Sequence, residues 1–288
     1  MINPFVPAAW LAEQLTSGAA PPRLVVADVR WYLDGRSGPE AFEKGHLPGA
    51  LWVDLDRWLS RHGDPSEGRH PLPDPARFAE GMDHLGIGPA STVIAYDDQS
   101  GTVAGRLVWM LRRLGVDAAM LDGGLAAWPG PLEMGSGRTP GPLQPGGFPV
   151  LSWPAERLAT TEELRQQSPD AQRLVVDARA AERYRGETEP IDPVAGHVPG
   201  AENLPLSGNL GPDGCYLPRQ QLAERYAHLR DRDVVMYCGS GVSACHNLLA
   251  LESLGQLGRL YVGSWSAWSN TEGLPIATGE EPANPADR

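Results

Sequence analysis

The sequence is poor in the residues that hold polyanions and metals. Its 288 residues include a single lysine, Lys44, and the formal net charge is -12. Nucleic acids and anionic membranes bind to clustered positive charge, so we expect neither as a partner. The three cysteines form no Cys-x-x-Cys pair and no histidine-rich run accompanies them, which argues against a zinc site and against a disulfide framework. We therefore expect no metal and no cofactor.

Long apolar runs are also missing. No stretch of the sequence approaches the roughly 20 apolar residues that a membrane-spanning helix needs. The first residues, MINPFVPAAWLAEQL, have neither a basic region nor the long apolar core of a signal peptide. Because the hydrophobic fraction, 41%, is that of a globular protein, we expect a soluble cytoplasmic protein.

The sequence does contain an internal repeat. The segment LVVADVRWYLDGRSGPEAFEKGHLPGALWVDL, residues 24–55, resembles LVVDARAAERYRGETEPIDPVAGHVPGAENLP, residues 174–205. Later motifs recur at similar separations, and a proline- and glycine-rich stretch lies between the halves. We predict two homologous domains joined by a linker, with boundaries at 1–128, 129–150 and 151–288.

Each half alternates short apolar strands with helical patterns. The segments VAGRLVWMLRRLG and SACHNLLALESLG repeat apolar residues at helical spacing and end on glycine. This alternation predicts an α/β fold in which each domain has a mostly parallel sheet with helices on both faces. Ligands of such sheets bind beyond the carboxyl ends of the strands, and Cys238 follows the predicted strand Val234 to Tyr237.

The stretch YCGSGVSA around Cys238 has the composition of an anion-binding loop. Gly239 and Gly241 allow positive φ, so that successive N–H groups can converge on the sulfur. A helix begins directly after the loop, and Ser240 and Ser243 add hydroxyl groups. These features favour a reactive thiolate over a buried structural thiol.

The other cysteine chemistries fit less well. Cys245 lies inside a predicted helix and Cys215 has no basic neighbour, so we expect both to be unreactive. A cysteine-dependent phosphatase needs Cys-x5-Arg, in which the arginine binds the phosphoryl oxygens. The corresponding residue after Cys238 is Ala244, which excludes that reaction.

Taken together, these motifs resemble the two-domain rhodanese-type sulfurtransferases. The resemblance rests on GHLPGA and GHVPGA, on LDGG and VGSW, and on a cysteine loop in the second half only. It implies that the first domain is catalytically silent, because Asp97 stands at the place of Cys238. It also implies that Cys238 takes up a sulfane sulfur as a persulfide and passes it to a nucleophilic acceptor.

The resemblance also bears on the sulfur donor. The loop CGSGVS is similar to that of the mercaptopyruvate enzymes of the family, which implies 3-mercaptopyruvate as donor and contacts from Gly239, Gly241, Val242 and Ser243. Thiosulfate as donor and a non-catalytic persulfide carrier remain alternatives. The expected partners are a small-molecule donor and a thiophilic acceptor such as cyanide, thioredoxin or another thiol.

Further site residues are carried over by the same resemblance. Arg183 matches an arginine that binds the donor's carboxylate. A second arginine of the family is replaced by Ile191, so Arg185 is a candidate substitute.

For proton transfer, the resemblance assigns His46 a partnership with Ser240, with Asp34 as the nearest candidate acid. His197 is expected to be structural. Because they recur in both halves, the pairs Asp28 with Arg30 and Asp177 with Arg179 are expected to be structural ion pairs.

Overall fold

The computed structural model describes residues 1–17, 21, 23–138, 147–166 and 172–280. The described residues divide into two compact units, and each unit contains a segment from the other half of the sequence. Unit 1 comprises residues 1–61, 73–153 and 211–216; unit 2 comprises residues 62–72, 154–210 and 217–288. Part of the predicted linker, residues 139–146, lies outside the described residues.

Unit 1 is built on a five-stranded parallel sheet with the strand order β1-β5-β4-β2-β3. The central strands β2 and β4 are almost wholly buried, as expected for a parallel sheet covered on both faces. Its elements are β1 Phe5–Val6, α1 Ala8–Ser17, β2 Leu24–Asp28, α2 Gly38–Lys44, β3 Leu51–Trp52, α3 Pro75–His84, β4 Thr92–Tyr96, α4 Ala104–Arg113 and β5 Asp117–Leu121.

Unit 2 repeats this architecture, with the strand order β6-β10-β9-β7-β8 in a second parallel sheet. The predicted α/β fold with one parallel sheet in each half is therefore confirmed. Its elements are β6 Leu158–Ala159, α5 Thr161–Arg165, β7 Arg173–Asp177, α6 Ala181–Tyr184, β8 Glu202–Asn203, α7 Arg219–Arg225, β9 Asp233–Tyr237, α8 Ala244–Ser253, β10 Arg259–Tyr261 and α9 Ser264–Asn270.

The two exchanged segments pack in equivalent places. In unit 2, a Cβ at Gly68 would lie 2.5 Å from the carbonyl oxygen of Gly263, and the positive φ of Gly68, 91°, also favours glycine. In unit 1, a Cβ at Gly123 would lie 2.8 Å from Sγ of Cys215. Gly123 and Gly263 belong to the repeated motifs LDGG and VGSW. Each unit therefore receives a loop of the other half at the same point of the repeat.

No helix among the described residues is long and apolar enough to cross a membrane.

Candidate active site

Cys238 is the first residue after β9 and lies at the carboxyl end of the sheet of unit 2. Only 1% of the residue is exposed. Its backbone N–H donates to Oγ of Ser264 (3.2 Å) and its carbonyl oxygen accepts from the N–H of Trp265 (3.0 Å). These bonds join the end of β9 to the start of α9, so both backbone polar groups of the cysteine are held by hydrogen bonds.

The loop after Cys238 turns back toward the sulfur. Gly241 has a φ of 75° and donates its N–H to Sγ of Cys238 at 3.2 Å. A Cβ at this position would also meet the carbonyl oxygen of Val262 at 2.6 Å, so glycine is required for two reasons. Helix α8 begins at Ala244 with its positive end toward the loop. The Gly241 N–H and the start of α8 therefore both lie at the sulfur, which is the geometry that a nucleophilic cysteine needs.

The loop hydroxyl of Ser240 pairs with a histidine. Nδ1 of His70 lies 2.8 Å from Oγ of Ser240, and both residues are more than nine-tenths buried. His70 belongs to segment 62–72, which lies within unit 2. An imidazole bonded to a hydroxyl group beside a buried thiol can move a proton to or from a reacting group.

This pair corrects the expectation for His46. Nδ1 of His46 lies 2.9 Å from the carbonyl oxygen of Phe42, and its ring stacks on the Phe42 ring at 4.0 Å. His197 has the same environment in unit 2, with Nδ1 at 2.7 Å from the carbonyl oxygen of Tyr184 and a stacked Tyr184 ring. The predicted pairing of His46 with Ser240 is therefore wrong, because that bond is made by His70.

The candidate acid behind His46 is also placed elsewhere. Asp34 is exposed and pairs with Arg36 at 2.9 Å, and hydrogen bonds from the Arg36 backbone and side chain lower the pKa of Asp34. The carboxylate of Glu133 lies 3.9 Å from Nε2 of His46. Glu133 also forms a backbone bridge with His46, which anchors the first part of the linker to unit 1.

Two arginines border the cysteine loop. A Cβ at Gly239 would lie 3.4 Å from Nη2 of Arg69 and 3.5 Å from Nη1 of Arg183. Arg183, the last residue but one of α6, therefore lies beside the loop, and its contact with a donor's carboxylate stays a prediction. Arg69 was not predicted as a site residue.

The remaining predicted loop contacts and Arg185 differ in position. Val242 is buried, with 8% exposed, and Ser243 is the residue before α8, without a side-chain bond to the helix. Arg185 pairs with Glu187 at 2.7 Å, and that carboxylate raises the pKa of Arg185. Glu187, rather than the loop, therefore holds the guanidinium of Arg185.

The repeated ion pairs have one geometry in both units. Nη2 of Arg30 lies 2.6 Å from the Asp28 carboxylate and 2.7 Å from the carbonyl oxygen of Gly45. The equivalent distances from Arg179 are 2.6 Å to Asp177 and 2.6 Å to the carbonyl oxygen of Gly196. Both pairs hold the end of a central strand to the glycine before a buried histidine. Their structural role is therefore the one expected from the repeat.

The other two cysteines are placed as unreactive groups. Cys245 is fully buried in α8 and its thiol donates to the carbonyl oxygen of Gly241 at 3.4 Å. Burial and the carboxylates of Asp122 and Asp213 raise the pKa of the Cys215 thiol. Cys215 therefore remains protonated near neutral pH, as a nucleophile would not.

Segment 62–72 contributes the two site residues that the sequence comparison missed, Arg69 and His70. Its sequence, HGDPSEGRHPL, has no helical or strand periodicity, so the sequence pattern does not predict where this segment packs. One signal was present: the dipeptide Arg69-His70 has no counterpart in GPDGCYLP of the second half. A feature confined to one copy is a better candidate for chemistry than GH-x-PGA, which occurs in both.

Comparison with known proteins agrees with this architecture. The family model described as rhodanese-like domain matches residues 7–130 and 160–271. A Pseudomonas aeruginosa protein named for 3-mercaptopyruvate sulfurtransferase activity is 45% identical over 93% of this chain and 97% of its own length. A Mycobacterium tuberculosis protein named for thiosulfate sulfurtransferase activity, SseB, is 38% identical over 96% of this chain and 97% of its own length.

A solved structure shows the same fold. The crystal structure of SseA from Escherichia coli, presented as a 3-mercaptopyruvate enzyme with a rhodanese fold, is similar with a TM-score of 0.76 and 31% sequence identity. The similarity covers 92% of this chain and 99% of that one. Two α/β units, each with a parallel sheet, and a buried cysteine loop in the second define a tandem rhodanese-type architecture. The chain belongs to the rhodanese-like family, and it is a sulfurtransferase.

Proposed function

We propose that the protein transfers the sulfur of 3-mercaptopyruvate to a thiophilic acceptor through a persulfide on Cys238. The observation that carries the proposal is the cysteine loop of unit 2: Sγ of Cys238 accepts the Gly241 N–H at 3.2 Å, beside two arginines. The relatives named for this activity in Pseudomonas aeruginosa and Escherichia coli support the choice of donor.

In the first half-reaction, the Cys238 thiolate attacks the sulfur of 3-mercaptopyruvate. The new bond joins the two sulfurs while the carbon–sulfur bond breaks, and the electron pair of the broken bond forms the enolate of pyruvate. Protonation of the enolate carbon then gives pyruvate. The pair of Ser240 with His70 supplies this proton, and the persulfide that remains is held by the loop.

In the second half-reaction, a soft nucleophile attacks the outer sulfur of the persulfide. The sulfur–sulfur bond breaks, its electron pair returns to Sγ, and the thiolate is restored. With cyanide the product is thiocyanate, and with thioredoxin or another thiol it is a persulfide of the acceptor. A second thiol of the acceptor can then attack that persulfide, which forms a disulfide and releases hydrogen sulfide. Splitting the transfer in two lets one buried nucleophile serve both donor and acceptor.

The test measures pyruvate and thiocyanate release with 3-mercaptopyruvate and cyanide, for the wild type and for Cys238→Ser. We expect a loss of at least about 10⁴-fold in kcat for the variant, since the reaction has no other nucleophile. Cys215→Ser serves as a control because its thiol lies in unit 1. Turnover of Cys238→Ser near the wild-type rate would contradict the proposal.

A second candidate donor is thiosulfate, favoured by the name of the Mycobacterium tuberculosis relative. Sulfite release from thiosulfate, measured in the same series, distinguishes the donors by their kcat/KM values. A wild type that takes up one sulfur per chain but turns over neither donor would instead be a persulfide carrier.

A further inference from the structure

The two arginines beside Gly239 come from different parts of the sequence. Arg183 lies in α6 of the second half, whereas Arg69 lies in segment 62–72 of the first half. Both approach the space over Gly239, at 3.4 and 3.5 Å from the position of a Cβ there. Gly239 has no side chain, so the space between its backbone and the two guanidinium groups is left open. This space adjoins the loop that contains Cys238.

Acidic residues hold the far sides of both guanidinium groups. Nε and Nη2 of Arg183 bond to Glu189 at 3.2 and 2.6 Å, which leaves Nη1 toward Gly239. Nη1 of Arg69 bonds to Asp192 at 2.9 Å, which leaves Nη2 toward Gly239. Glu189 and Asp192 are themselves buried, with 3% and 2% of their side chains exposed. Each arginine is therefore fixed with a donor toward the loop.

Arg69 also has a donor without an acceptor. Among the described residues, its Nε is a buried side-chain nitrogen with no hydrogen-bond partner. A buried donor left unpaired costs about 1–3 kcal/mol. On a guanidinium, Nε and Nη2 form the edge that binds a carboxylate with two parallel hydrogen bonds. The edge of Arg69 that Asp192 leaves unused is thus suited to a carboxylate.

The charge around these arginines favours a planar carboxylate over a compact dianion. Arg179, Arg183 and Arg69 are linked through shared contacts with Asp177, Glu189 and Asp192. Three guanidinium groups and three carboxylates leave the network without net charge, so it has little general attraction for a dianion. The guanidinium groups instead present N–H donors in fixed directions, which match the planar geometry of a carboxylate as well as its charge.

The position that the family resemblance assigns to a second arginine has another role. The N–H groups of Ile191 and Asp192 both donate to Oε1 of Glu189 at 3.2 Å. This segment therefore positions the carboxylate that holds Arg183, and it contributes no cation of its own at residue 191. A second cation beside the loop comes from Arg69 instead.

We propose that Arg69 is the second carboxylate-binding residue of the site and that it selects 3-mercaptopyruvate together with Arg183. The donor's carboxylate would accept from Nη1 of Arg183 and from the Nε and Nη2 edge of Arg69, and Asp192 is the positioning residue for both. This inference rests on the proposed function, because it assigns a carboxylate donor to the site.

The kinetic test compares Arg69→Ala, Arg69→Gln and Arg69→Lys with the wild type. We expect Arg69→Ala to raise KM for 3-mercaptopyruvate about 30-fold while kcat changes less than about 3-fold. The reason is that the lost contact stabilises the bound substrate and the transition state equally. Arg69→Gln, whose amide can keep the bond to Asp192, should lose nearly as much, and Arg69→Lys should recover part of the loss. Arg165→Ala, an exposed arginine paired with Glu162 in the same unit, is the control.

A binding test removes the chemistry. In the Cys238→Ser background, calorimetry measures the affinity for 3-mercaptopropionate and for its methyl ester, with and without Arg69→Ala. We expect Arg69→Ala to weaken binding of the acid at least about 10-fold and to leave binding of the ester unchanged. Equal weakening of both ligands, or of neither, would overturn the assignment of Arg69 to the carboxylate.

The two proposals fail in different ways. If the wild type does not release pyruvate from 3-mercaptopyruvate, the proposed function fails whatever the Arg69 variants do. If the wild type does so and Arg69→Ala keeps the wild-type KM, only the role of Arg69 is lost. Arg185→Ala completes the comparison, since a rise in KM there and not at Arg69 would give the second cation to Arg185.

Discussion

The loops after β4 and β9 are two copies of one structure, and they surround different acidic side chains. In unit 1, Asp97 follows the strand, and its carboxylate accepts four backbone N–H groups: Oδ1 accepts from Gln99 and Gly101, and Oδ2 from Val103 and Ala104, at 2.7 to 2.8 Å. Burial raises the pKa of Asp97, and the four N–H donors offset only part of that rise. The loop of unit 1 is thus a complete anion site that is filled by its own chain.

In unit 2, the residue at this position of the loop is Cys238, whose side chain is shorter than that of Asp97. The thiol sulfur of Cys238 lies one bond from Cβ, whereas each carboxylate oxygen of Asp97 lies two bonds from Cβ. The outer sulfur of a persulfide also lies two bonds from Cβ. Asp97 therefore indicates how unit 2 would hold a persulfide, with the N–H groups of Ser243 and Ala244 in the places of Val103 and Ala104.

The units also differ in what surrounds these loops. Both contain the buried pair of aspartate and arginine after the central strand, but among the described residues only Arg179 continues to a further carboxylate, that of Glu189 at 3.2 Å. That contact leads to Arg183 and so to the cysteine loop. The pair of aspartate and arginine is thus common to both units, but in unit 2 it also contacts Glu189, the residue that holds Arg183 beside the cysteine loop.

The largest effect on activity is expected when the thiol is moved from position 238 to position 97. In the double variant Asp97→Cys with Cys238→Ser, the thiol lies in unit 1, next to the exposed carboxylate of Asp98, which bonds to the Tyr32 hydroxyl at 2.7 Å. An anionic donor is repelled there, so we expect pyruvate release at the level of Cys238→Ser, at least about 10⁴-fold below the wild type. Asp97→Cys alone should keep kcat within about 2-fold. Activity of the double variant within 100-fold of the wild type, by contrast, would mean that the loop alone is sufficient.

A smaller effect is expected from the histidines. His70→Asn removes the partner of Ser240, and we expect kcat for pyruvate release to fall about 100-fold because proton transfer is slowed. His46→Asn should keep kcat within about 3-fold and lower the free energy of unfolding by about 1–3 kcal/mol, since the buried ring is lost from its stacked position. Steady-state kinetics and urea unfolding of both variants provide the measurement. The reverse pattern would return the catalytic role to His46.

The sequence was sufficient for the sheet, the repeat and the position of Cys238 at the end of a strand, because these depend on local periodicity and on comparison of one half with the other. It was insufficient for Arg69 and His70, whose position depends on an irregular segment packing against Gly263 and α9 of unit 2. The choice of His46 followed from a motif that occurs in both halves. Asp28 and Arg30 also recur in both halves, and recurrence indicates a structural role for that histidine as it does for them.

The smallest effect is expected from Asp97→Asn, which alters stability rather than turnover. An asparagine amide has one acceptor oxygen, so two of the four N–H donors would face an NH₂ group and remain unpaired in a buried site. Because each unpaired buried donor costs about 1–3 kcal/mol, we expect the free energy of unfolding of unit 1 to fall by about 3 kcal/mol. Asp98→Asn, in the same loop but exposed, keeps an oxygen for the Tyr32 hydroxyl and should change stability by less than about 0.5 kcal/mol. Urea unfolding of both variants measures the difference, and equal stabilities would show that the N–H groups around Asp97 do not hold its charge.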